Sequence, residues 1–114
     1  MAESSSILKD IKKLVQISDA DTNFDTDVII HINSTFMELR QMGIGPANYV
    51  ITGETETWEN YLGSAKNFEA VKTYIGMKLG LIFDPPGTGP SLASRERLIL
   101  EYGWRLNIQA EGVV

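Results

Sequence analysis

The chain has 114 residues, no cysteine, a single histidine and a formal net charge of -5. One domain fits that length and two hardly do. The missing cysteines exclude a disulfide scaffold and thiol chemistry, one histidine excludes zinc sites of the usual composition, and the acidic balance argues against wrapping a phosphate backbone.

Met1 to Ser6 lacks a basic region followed by an apolar run, so no signal peptide is expected. No apolar stretch approaches the roughly 20 residues that span a bilayer, so no membrane partner is expected either. The serines at 4 to 6 provide caps for a first helix running roughly from Ile7 to Ile17. Ile7, Leu8, Ile11, Leu14 and Val15 form its apolar stripe. Lys9, Lys12 and Lys13 fall largely off that stripe and read as a solvated face, with a docking patch for an acidic partner as the alternative.

Ser18 to Thr26 is a polar connection. Asp25 stands at an N-cap position and Asp27 in the first turn of a second helix, Thr26 to Gln41, where the dipole favours carboxylates. Val28, Ile29, Ile32, Phe36 and Leu39 make its stripe, Ile30 and Met37 widen it, and Gly43 stops it. Ile44 to Gly63 is an irregular, acidic excursion. Tyr49 to Thr52 suits a short extended piece, and Thr57 caps a helical turn that turns Trp58 and Leu62 inward.

A third long helix spans Asn67 to Phe83, with Asn67 as cap. Phe68, Val71, Ile75, Leu79 and Ile82 recur at helical spacing, while Tyr74, Leu81 and Phe83 extend the apolar surface beyond one face. Gly76 and Gly80 lie one turn apart, which allows close approach by another helix, either internal or from a second subunit. Asp84-Pro85-Pro86-Gly87 is a hard stop. Gly87 to Pro90 continues the loop, and Ser91 or Ser94 caps a final helix from about Leu92 to Gln109. Leu92, Arg95, Ile99, Tyr102 and Leu106 share one face of it; Leu100, Trp104 and Ile108 form a second stripe. Two stripes imply two packing partners. The tail Gly112-Val113-Val114 is apolar and uncapped. The whole predicts an all-α bundle of about four helices forming one domain over 1-114, with residues 1-5 and 110-114 as tails.

Candidate chemistry is sparse. Asp19, Asp21, Asn23, Asp25 and Asp27 alternate as in a calcium loop, yet Phe24 replaces the turn glycine and Ile30 the bidentate glutamate. His31 lies between Ile30 and Ile32 with no nucleophile motif near it. The glycine-rich turns at 43-46 and 87-90 lack the phosphate-loop lysine pattern. Glu54, Glu56 and Glu59 read as solvation of a loop. Arg95, Arg97 and Arg105 are balanced by Glu96, Glu101 and Glu111. No catalytic residue, cofactor or metal ligand is assigned.

Several segments, in order, carry a resemblance: Ile7 to Leu14, Phe24 to Asn33, Met42-Gly43-Ile44-Gly45-Pro46, Thr57 to Gly63, Val71 to Pro86, and Glu101-Tyr102-Gly103-Trp104-Arg105-Leu106-Asn107. Together they resemble the small head-tail connector (adaptor, head-completion) proteins of tailed bacteriophages and prophages. The resemblance implies a non-enzymatic helical bundle, assembled in the host cytoplasm. In the virion it would form a homo-oligomeric ring, commonly twelvefold, at the head-tail junction. That ring would sit between the portal protein and the tail or stopper and extend the DNA channel without reading sequence. Under this reading the interface candidates are Tyr74, Leu81, Phe83, Leu100, Tyr102, Trp104, Ile108, Val113 and Val114. The alternative is a small helical nucleic-acid-binding regulator, for which Lys9, Lys12 and Lys13 are the sole local basic cluster.

Overall fold

The structure, a computed structural model, describes residues 6–18, 20–63, 68–83 and 89–110. Five helices follow one another: α1 (Ile7–Leu14), α2 (Asp25–Gln41), α3 (Trp58–Leu62), α4 (Phe68–Phe83) and α5 (Gly89–Ala110). No strand occurs among the described residues, so the all-α expectation holds. Helix α4 packs against α1, α2 and α5, which puts the most apolar helix at the centre, as an element without a clear polar face requires.

Helix α1 starts where the serines predict, with the Ser6 hydroxyl accepting from the Lys9 amide at 3.3 Å. It stops at Leu14, short of Ile17. The Ile17 amide donates to Lys12 carbonyl (2.8 Å) and the Gln16 amide to Lys13 carbonyl (3.3 Å), with Gln16 in the left-handed region at φ 68°. This is a Schellman ending with a glutamine where glycine is usual. Helix α2 ends the same way on the predicted Gly43, at φ 90°: Ile44 donates to Leu39 carbonyl and Gly43 to Arg40 carbonyl, both at 2.9 Å.

Two side chains read from sequence as solvent-facing or capping are neither. Lys12, expected on a solvated face, is 2% exposed. Its ammonium lies 2.8 Å from Asp25 Oδ1 and donates to Asp21 carbonyl at 2.8 Å. Asp25, expected as the N-cap, lies inside α2 and faces this cation; Phe24 is the cap residue and makes no side-chain cap bond. The ammonium thus occupies the centre that a metal would have needed between Asp21 and Asp25.

The excursion between α2 and α4 is tied down by polar clamps as well as by its apolar residues. The Asn33 side chain accepts from the Ile51 amide (2.8 Å) and donates to its carbonyl (3.1 Å), standing in for a strand partner. Glu56 accepts the amide (2.8 Å) and hydroxyl (2.9 Å) of Thr52 and the Gly53 amide (3.3 Å). Burial opposes its charge, but these bonds outweigh it and hold the carboxyl below the ordinary glutamate value of 4.5. Glu56 is therefore a structural acceptor, and the loop-solvation reading does not apply to it. Thr57 and Asn60 form a capping box at α3, as the sequence suggests for Thr57. Buried Trp58 donates from Nε1 to Asp10 Oδ2 at 2.8 Å, and Lys72 reaches the same oxygen at 3.5 Å, so α3, α1 and α4 share one network. Gly45, at φ 82°, lets the chain pass under Tyr61, whose ring would clash with any Cβ there at 2.6 Å. Phe36, Tyr49 and Tyr61 stack around this point, and burial pushes the Tyr61 phenol far above its usual range.

The apolar stripes are narrower than periodicity alone suggests. Ile30 and Met37 of α2, and Ile82 of α4, are exposed. Helix α5 begins at Gly89, ahead of the predicted Leu92. Pro90 sits in its first turn, where a missing N–H is tolerated, and Ser91 and Ser94 are helical residues and do not cap it. The expected stop at Asp84-Pro85-Pro86-Gly87, the Asn67 cap, Asp19 and the tail Gly112-Val113-Val114 lie outside the described residues.

Candidate assembly surface

Helix α5 packs on α4 through its second half. Ile99, Gly103 and Leu106 are buried, and their spacing puts them on one line facing α4. Gly103 brings the two helices close, since a Cβ there would lie 3.2 Å from the Tyr74 ring. Every residue from Gly89 through Leu98 is exposed, so the first half of the helix leaves the bundle uncovered, Leu92 of the expected inward face included. On the side away from the seam, Leu100 is 75% exposed and Trp104 63%. Ile108, one turn further, is partly buried.

The other expected contact residues divide between core and surface. Tyr74 is 5% exposed and belongs to the core, with burial raising its phenol; the Lys78 charge opposes that shift and Glu38 adds to it. Leu81, Phe83 and Tyr102 are partly buried against the core. Phe83 packs edge-on to His31 with ring centroids 5.7 Å apart, which gives the single histidine an ordinary packing role. Val113 and Val114 lie outside the described residues.

Two grooves flank α5. The first, about 360 Å³, runs between α5, α4 and the end of α1; Leu14, Met77, Gly80 and Leu98 line it. The second, about 460 Å³, lies between α5, α4 and the end of α2, with Met42, Tyr74, Leu100 and Trp104 in its walls. The paired glycines of α4 take different parts here. A Cβ on Gly76 would meet Leu14 Cδ1 at 2.8 Å, so Gly76 serves close packing of α1 on α4. A Cβ on Gly80 would meet nothing within 4 Å. A helix-interior glycine costs about 1 kcal/mol relative to alanine, and at position 80 no contact among the described residues requires it.

This surface has apolar area to bury and little chemistry to perform. Among the described residues no group of three or more His, Asp or Glu side chains is placed to hold a metal. No helix among them is long and apolar enough to cross a membrane. The basic cluster on α1 is also depleted: Lys12 is buried, and Lys9 lies 4.0 Å from Glu54. Covering a side chain of the size of Leu100 or Trp104 contributes roughly 1.5–3 kcal/mol, so the outer face of α5 offers adhesive apolar area. Sequence periodicity found its residues; it did not reveal that Gly89 to Leu98 is exposed throughout.

Residues 7–113 match a family model described as phage connector protein. No curated protein and no solved structure matches the chain.

Proposed function

Because the chain belongs to the phage connector protein family, over residues 7–113, we propose that it is a structural virion protein whose subunits close into a ring between the portal and the tail. The ring extends the DNA channel and completes the head for docking of a tail or stopper protein. It performs no catalysis, and DNA passes without sequence readout. One observation carries this reading: a folded subunit keeps the stripe of Leu100 and Trp104 in solvent. Repetition of one contact by rotation closes a ring, and assembly on a portal raises the effective concentration of each subunit, so every pairwise contact can be weak. The acidic net charge of -5 suits a channel wall along which DNA must slide without adhering.

The test is native mass measurement over a concentration series, alone and with a purified portal complex. The expected result is a closed multimer or stoichiometric capture by the portal. A protein that stays monomeric and ignores the portal contradicts the proposal.

A further inference from the structure

The outer side of α5 carries unengaged charge as well as apolar area. Ala93, Arg97, Leu100 and Trp104 follow one another at spacings of four, three and four residues, so they share one line, away from Ile99, Gly103 and Leu106. All four are exposed. Among the described residues, Arg97 and its neighbour Glu96 have no ion pair, hydrogen bond or ring contact in their own chain. Glu101, by contrast, holds Arg105 at 2.8 Å, and Arg95 is already engaged. An unengaged guanidinium therefore lies on the same line as an exposed indole.

A second copy of the helix supplies what these groups lack. Alternating spacings of three and four pack helix on helix at a shallow angle. About a two-fold axis, two copies can run parallel or antiparallel. Parallel copies set Arg97 against Arg97, and like charges in an interface are disfavoured. Antiparallel copies, with the axis level with Tyr102, set Leu100 of one against Trp104 of the other. The two Arg97 side chains then stand about 15 Å apart along the seam. Each lies less than one turn from Trp104 of the other copy, within reach of a cation–π contact. Glu96 sits three turns before Asn107 on the same flank of α5. In the antiparallel pair it comes level with Asn107 of the other copy, whose amide can donate to its carboxylate. Every contact occurs twice.

We propose that free subunits of this chain pair through their α5 helices, antiparallel, with Leu100 against Trp104 and Arg97 across the indole of the second copy. The pair goes beyond the ring reading. A two-fold contact closes at two subunits and cannot continue round a ring. Leu100 and Trp104 cannot face a twin and a ring neighbour at once, so the pair is a storage form that ring assembly displaces. Leu100, 75% exposed, and Trp104, 63%, offer on the order of 300 Å² per copy, against the roughly 800 Å² per partner of a stable interface. The pair is therefore weak enough to yield.

Because the chain has no cysteine, introduced thiols report alone. Glu101 lies one residue from the axis, whereas Ser94 lies eight, which puts its two copies about 24 Å apart along the seam. Glu101→Cys and Ser94→Cys proteins are each treated with a short bis-maleimide. The expected result is a 101-to-101 dimer forming at least about tenfold faster than a 94-to-94 dimer. Trp104→Ala in the Glu101→Cys protein should abolish that dimer while its unfolding at high dilution stays like the parent's. By sedimentation, Arg97→Ala should weaken pairing of the otherwise unsubstituted chain about tenfold, and Arg97→Lys less. Equal rates at 94 and 101, or an Arg97→Ala protein that pairs like the parent, overturn the contact. A ring formed without portal and without a 101-to-101 link overturns the pair and leaves the ring reading standing. A linked pair that forms nothing larger and that no portal complex captures keeps this contact and removes the ring reading. A monomer at every concentration overturns the pair.

Discussion

The region from α1 through α4 and the region of α5 are built on opposite plans. In the first, apolar burial is doubled by polar ties that each join distant segments: Trp58 to Asp10, Asn33 to Ile51, Lys12 to Asp25, Lys78 to Glu38. Helix α5 has Ile99, Gly103 and Leu106 against α4, and the ion pair from Arg105 to Glu101 stays within the helix. The helix anchors itself through that line, while Leu100 and Trp104 on its outer side stay exposed. An assembly subunit gains from keeping folding and docking on separate residues, and the exposed Leu100 and Trp104 lie apart from the buried core.

Trp58→Ala should break the first region most. It removes a fully buried indole and leaves Asp10 with Lys72 but without the indole N–H, so a loss of about 3–5 kcal/mol in urea unfolding is expected. Asp25→Asn follows, at about 3 kcal/mol, because the buried Lys12 ammonium then loses the carboxylate that lies 2.8 Å from it. A loss below 1 kcal/mol would mean that the Asp21 carbonyl suffices.

A milder effect is expected from acid. Glu56 has a lowered folded value, so its contribution is complete above the ordinary 4.5 and fades as pH falls through the lowered value. Unfolding free energy of the parent should therefore drop in that acidic window, and Glu56→Gln should show a smaller drop there. Gln16→Gly should shift stability least, upward by at most about 1 kcal/mol, since it relieves the left-handed backbone at the end of α1 while loosening the unfolded chain. A decrease would show that the Gln16 side chain contributes to the cap.

These ties also mark where sequence reading stops. Apolar periodicity located every long helix, and local chemistry located Gly43 as a stop and Thr57 as a cap, because those signals are complete within a few residues. Lys12 looks like Lys9 and Lys13 until the loop carrying Asp21 and Asp25 folds over it, and nothing in the helix pattern separates the three. Gln16 ends a helix in a conformation usually given to glycine, so its residue type carries no warning. Asn33 sits in a helix and acts as a strand partner to a backbone 18 positions away. The candidate assembly surface was half legible: the Leu100, Trp104 and Ile108 stripe is periodic, whereas Tyr74 looks equally available and is core, and the exposure of Gly89 to Leu98 is a matter of tertiary packing that no helix period encodes.

Leu100 and Trp104 decide the account. Urea unfolding of a Leu100→Ser, Trp104→Ala protein at a concentration where the parent is monomeric should give a free energy within about 1 kcal/mol of the parent, as surface substitutions do. A loss approaching that of Trp58→Ala would place both side chains in the fold itself and contradict an exterior reserved for a neighbour.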